Sequence, residues 1–391
     1  MSKKPLCSRV IVILLTVCAV AFALPADAAQ PQPNILFIHS EDINPHLGCY
    51  GDTFVKTPNL DAFAARSLRY TEASSNGPIC APAKTTLFSG VYPPSFGAHH
   101  MRSAAEAPEW FVPLSVHMRK AGYTCAKKVD SDFNIINVDS SAWYDDAKNR
   151  IRTYSDCPPG KSCLAFDGFG QTNERFIWGK SENPVHDPAK VPIPPYHPDS
   201  EETRNEWAHY YDRIAEMDVW FGEQLAELEA KGLAENTIVI FTSDHGSGMP
   251  RSKRYSGWSG VHVPFIMHIP EKFKALRPTE YTVGGVSDRL ISFVDIAPTF
   301  LSFAGVKKAD FHQGRAFAGK FEEPSQDYSV GFVGRTDERP DESRSITDGR
   351  YLYVRNFKSN TPLLKGVQYQ MIMRTSARWR ELFEAGELND I

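Results

Sequence analysis

The chain has 391 residues, 42% of them hydrophobic, with 43 Lys and Arg against 47 Asp and Glu and a formal net charge of -4. That length supplies one large core or two, and the slightly acidic balance excludes a nucleic-acid partner held by a basic surface. The first 29 residues stand apart: Lys3, Lys4 and Arg9 precede an apolar run from Val10 to Leu24, then small residues ending Ala26-Asp27-Ala28-Ala29. This pattern predicts a signal peptide over 1–29 and an exported protein, periplasmic or extracellular. The run of about 15 residues is short of the roughly 20 that a membrane span needs, so no membrane association is expected after cleavage, an uncleaved N-terminal anchor being the alternative. Of seven cysteines, Cys7 and Cys18 leave with the signal, and Cys157 and Cys163 flank a tight loop that a disulfide could close; the pairing itself stays open.

Asn34 to His39 is a short apolar run ended by Glu41 and Asp42, the pattern of a buried parallel strand with acids at its carboxyl end, where ligands of open α/β sheets gather. Thr57-Pro58 predicts a helix capped by Thr57 and reaching Leu68, with a strand from Leu68 to Ala73 behind it. In Gly77-Pro78-Ile79-Cys80-Ala81-Pro82, Pro82 suits a first helical turn and Gly90 stops the helix. Cys80 then stands at a helix N-terminus, where free N–H groups attract anions and lower a thiol's pKa; a buried structural cysteine is the bland alternative. His99, His100 and Arg102 follow closely enough to line the same cleft, or to be ordinary loop residues.

Val112 to Ala121 has helical spacing and gives way at Gly122 to a strand from Tyr123 to Val129. Pro, Gly, Asn and Asp predict loops from Asp130 to Pro198 around one strand near Cys163 to Phe169. Glu202 to Lys231 is the longest helical pattern, its stripe of Trp207, Tyr210, Tyr211, Ile214, Met217 and Phe221 reading as core. Gly232 ends it, and Thr237 to Thr242 is a second buried strand delivering Asp244 and His245. A third strand over Val263 to Ile269, a helix from Val294, a strand over Tyr351 to Asn356 and a helix over Thr375 to Ala385 complete the chain. The alternation predicts an α/β domain over 30–330 with a large, mostly parallel sheet flanked by helices, and a small β-sheet subdomain over 331–391, expected to be truncated because no capped element closes it.

Glu41, Asp42, Asp244 and His245 offer hard or borderline ligands from two strand ends, which is what a divalent cation needs; singly, each reads as a solvated loop residue. Together with Ser40-Glu41-Asp42, Cys80-Ala81-Pro82-Ala83-Lys84, Gly97-Ala98-His99-His100-Met101-Arg102-Ser103 and Gly248-Met249-Pro250-Arg251-Ser252-Lys253-Arg254, they make the chain resemble the sulfatase family, nearest to heparan N-sulfatase-like exported bacterial members, over nearly all of Pro33 to Ile391. The resemblance implies an alkaline phosphatase-like fold and a calcium ion held by Asp42 and Asp244, then Glu41, with His245 serving the metal or the sulfate. It also implies that a formylglycine-generating or other maturation enzyme converts Cys80 to formylglycine, that Lys253 contacts sulfate, and that the substrate is a sulfated saccharide cleaved at a sulfate ester or N-sulfate group.

Three positions depart from the family's pattern. Lys84 stands where the motif has Arg, and a point charge does not reproduce a planar two-pronged donor. Asp130 aligns with a lysine of relatives, a role neighbouring Lys128 could take. Asn173 aligns with a histidine that protonates the leaving group, and an amide does not exchange a proton at neutral pH. Two readings therefore follow: a hydrolase with these residues in its site, or a sulfatase-like protein that binds metal and sulfated glycans without turnover.

Overall fold

The computed structural model describes residues 32–127, 132–138, 153–360 and 362–388; the expected signal segment, Lys128 and Asp130 lie outside them. From Gln32 onward the described residues form one compact unit. Its centre is a seven-stranded sheet built, in chain order, from β1 (Asn34–Ser40), β2 (Leu68–Tyr70), β3 (Thr124–Lys127), β4 (Cys163–Phe169), β5 (Thr237–Ser243), β6 (Phe265–His268) and β7 (Val286–Ser287). In space the order is β7-β2-β6-β5-β1-β4-β3. β1 pairs in parallel with both β4 and β5, and Ser40 lies opposite Ser243, so the two strands release their next residues side by side.

Residues of β1 alternate between two cores. Ile35 and Phe37 pack with Leu87 of α2 (Cys80–Ser89), Met118 of α3 (Leu114–Lys120) and Phe300 of a later helix, Ile296–Phe303. Leu36 and Ile38 pack with Phe63 of α1 (Pro58–Ala64) and with Tyr210 and Phe221 of the long helix Glu201–Ala230. A strand apolar on both faces is what two covering helix layers require. The expected stripe of the long helix is buried throughout, from Trp207 to Phe221.

β6 runs antiparallel to β5 and β2, because the chain from Asp244 returns by a loop at the same end of the sheet instead of crossing over. α1 stops at Ala64, short of Leu68, and Thr57 does not cap it: its hydroxyl accepts from Gly48 N–H at 2.9 Å and donates to Asp61 at 3.1 Å. The smaller antiparallel sheet is built from β8 (Ser329–Val333), β9 (Ser343–Thr347) and β10 (Leu352–Asn356). Cys157 and Cys163 form a disulfide, in which Cys49, Cys80 and Cys125 take no part.

Candidate functional site

The ends of β1 and β5, the start of α2 and the segment after β4 meet at one buried point. Asp42, in the left-handed region at φ 54°, turns its N–H to Asp244 Oδ1 at 3.0 Å, while Asp244 N–H donates to Ser40 O at 3.0 Å. Glu174 N–H donates to Asp42 Oδ2 at 2.8 Å. His245 Nδ1 faces Gly246 O at 2.9 Å; a carbonyl only accepts, so Nδ1 carries the proton and the Nε2 lone pair points inward. That lone pair meets Cys80 Sγ at 3.3 Å, Asp42 Oδ1 at 3.3 Å and Asp244 Oδ2 at 3.5 Å.

Ligand atoms of Asp42, Cys80, Asp244 and His245 all lie within 4.8 Å of one another, and all four residues are buried. Asp244 Oδ2 has no hydrogen-bond partner among the described residues. An unsatisfied buried carboxylate oxygen beside an inward imidazole lone pair is repulsive until a cation is shared between them, so these residues fit a divalent metal. Five carboxylates, Glu41, Asp42, Glu174, Asp244 and Asp337, face three cations, Lys84, Lys253 and Arg254. A divalent ion offsets that deficit of positive charge and so favours an anionic ligand.

The electrostatics correct one expectation. Burial pushes the Cys80 thiol well above its ordinary pKa, and Asp244, Asp42 and Glu41 add to the shift against the opposing Lys253, so the helix start does not acidify the thiol here. Burial also raises Asp42, and it would raise Asp244, but the charges of Lys84 and Lys253 and the N–H of Asp42 hold the Asp244 carboxyl below the usual range. Burial disfavours charge on Lys253, yet Asp42 at 2.7 Å and Glu174 at 3.1 Å keep it protonated well above the usual lysine range.

Glu41 stands beside the cluster, with both oxygens engaged: Oε1 by Lys84 Nζ at 2.9 Å and Oε2 by Asn173 Nδ2 at 2.7 Å. Lys84 also lies 3.6 Å from Asp244 Oδ2. Above them opens a cavity of about 820 Å³ whose lining includes Glu41, Cys80, Arg102, Asn173, Lys253 and Arg254. His99 and His100 are not part of that lining; His100 Nδ1 accepts from Arg335 N–H at 2.9 Å, backing the loop instead. Arg254 is 2% exposed and grips Glu174 with two hydrogen bonds of 2.9 and 2.8 Å. Sequence spacing gives no signal for that pair, whose members are 80 residues apart.

The sulfatase family model matches residues 33–306. An ulvan-active sulfatase of Formosa agariphila is 30% identical over 405 residues, covering 92% of this chain and 66% of its own length. The human N-sulphoglucosamine sulphohydrolase is 25% identical, covering 74% of this chain and 64% of its own length, so the chain spans about two thirds of these curated relatives. A phosphonate monoester hydrolase from Silicibacter pomeroyi superposes with a TM-score of 0.64 at 16% identity over 92% of this chain and 96% of its own, a likeness of fold alone. Because the family model takes in well over half of the residues, including the segments that carry Asp42, Cys80 and Asp244, the chain belongs to the sulfatase family.

Proposed function

We propose that the chain is an exported hydrolase that removes sulfate from sulfated saccharides, at sulfate esters or N-sulfate groups. The observation that carries this reading is the convergence of Asp42, Asp244 and His245 on Cys80, which lines the cavity, with Asp244 Oδ2 unsatisfied. Asp42, Asp244 and His245 would hold a calcium ion, which supplies Lewis-acid polarisation of sulfate oxygens. Cys80 is the position at which a maturation enzyme would install formylglycine, whose hydrated aldehyde supplies the attacking oxygen.

The chain's own residues supply the rest. Lys253 and Arg254 line the cavity as charges fixed by Glu174, and their burial keeps water from screening them against the sulfuryl oxygens. Lys84 keeps Glu41 ionised and lies beside Asp244. Asn173, its amide held by Glu41, orients a leaving-group oxygen without exchanging a proton. Lys84 and Asn173 are thus both tied into the network at Glu41, which favours turnover over a protein that only binds.

Co-expression with a formylglycine-generating enzyme, followed by mass spectrometry of the peptide across residue 80 and sulfate release from ulvan and heparan sulfate fragments, tests the reading. The expected result is an aldehyde at residue 80 and calcium-dependent release that Cys80→Ala abolishes. Aldehyde-bearing protein that frees no sulfate from any of these substrates would overturn it.

A further inference from the structure

One face of the small sheet leads from the Cys80 loop to open solvent. The register places Phe332, Arg344 and Arg355 in one cross-strand row and Val330, Ile346 and Tyr353 in the next, all on the same face. The inner end of the first row is buried: Phe332 is 3% exposed and packs against Gly77, three residues ahead of Cys80. The outer end is bare: Arg355 is exposed, as are Tyr353 and Ile346 of the second row, at 64% and 40%. Like charges directly opposite each other destabilise a strand pair; Arg344 is met by Glu342 at 3.7 Å, whereas Arg355 across from it has no ion-pair partner among the described residues.

The neighbouring chain continues the pattern. Across residues 348–360, Arg350, Arg355 and Lys358 face a single acid, Asp348, in a protein whose net charge is -4. Tyr351 and Phe357 are exposed, and each lies under a guanidinium, Arg350 at 5.0 Å and Arg355 at 4.7 Å. Just beyond β8 the chain reaches the cavity: Arg335 Nη2 donates to the carbonyl of Met101, which lines the cavity with Arg102.

We propose that this face is a docking surface for the polysaccharide chain that extends beyond the reacting sugar, its arginines taking sulfate groups and its exposed tyrosines stacking on sugar rings. The inference rests on the hydrolase reading for its substrate class, and it makes the substrate a polymer. A second copy of the chain suits the face poorly, since a two-fold interface would set Arg355 and Arg350 against the same patch of their mate.

The test measures binding of dextran sulfate, with neutral dextran as control, to the full chain in a Cys80→Ala background, so that turnover is not required. Arg355→Glu is expected to weaken binding at least about fivefold, Tyr353→Ala to weaken it less, and both to leave the thermal midpoint unchanged because the side chains are exposed. In the active protein, Arg355→Glu should raise KM for polymeric ulvan while leaving kcat, and the rate on a sulfated disaccharide, as they were. Undiminished dextran sulfate binding by both variants overturns the proposal. So does a wild-type dimer that Arg355→Glu separates in sedimentation, which would make the face a protein interface. Variant-sensitive binding without sulfate release from any substrate would leave the surface standing and count against the hydrolase.

Discussion

Asp244 divides its work between two oxygens. Oδ1 is fixed by the Asp42 N–H at 3.0 Å, which aims Oδ2 into the cluster with no donor of its own. Calcium is therefore expected to raise the thermal midpoint, with stabilisation of about 2.7 kcal/mol when free calcium is at about 100 times its Kd. Asp244→Asn should remove the calcium-dependent part of that shift, read by differential scanning calorimetry with chelator and with calcium; an equal shift in the variant would place the ion elsewhere. Glu174 is the second residue on which much turns, because it satisfies two buried cations at once. Glu174→Gln leaves Arg254 and Lys253 short of a counter-charge, and urea unfolding should show a loss of about 3–5 kcal/mol, the range for breaking a buried ion pair. The acids and the cysteine of the cluster were legible in the sequence because each ends or begins an apolar element. Glu174 and Arg254 were not, since a charge's burial depends on a partner that only the fold brings near.

At the scale of elements, α2 is the part on which Cys80 depends, and all ten of its residues are buried. Its end at Gly90 is left-handed, φ 64°, and a Cβ there would meet the His312 ring at 2.6 Å and Ala297 at 3.1 Å. Gly90→Ala should cost about 1–3 kcal/mol in chemical denaturation, from backbone strain together with the clash. The start and stop of this helix were readable from Pro82 and Gly90, and β1 and β5 from their unbroken apolar runs. The direction of β6 was not readable, because a strand's own residues carry no mark of which way its neighbour runs. Thr57 misled for a related reason: a hydroxyl three residues from an N3 amide has a local partner on paper, but Gly48 and Asp61 compete for it in the folded chain.

Across the whole molecule, burial holds several histidines neutral. His46, His197, His262 and His312 are each lowered from 6.5 to about 4, mainly by desolvation. In the unfolded chain they take up protons near 6.5, so their contribution to stability is complete above that value and is lost as pH falls toward about 4. The thermal midpoint should accordingly drop between pH 7 and pH 5, and His312→Asn, whose Oδ1 stands in for the ring nitrogen that accepts from Ala309 N–H at 3.0 Å, should drop less. A wild-type midpoint flat over that interval would contradict the assignment. The layered α/β plan was legible at this scale from alternating strands and helices, whereas the spatial order of the strands was not.

Asp42 and Asp244, 202 positions apart in sequence, touch where adjacent strands end. While the chain is being synthesised, the acids of the first half must therefore wait, with neither their partner strand nor the ion it would help to hold, until the residues around 245 have emerged. A fragment that stops short of that point keeps the thiol and half of the ligands, and it has no means of gathering them.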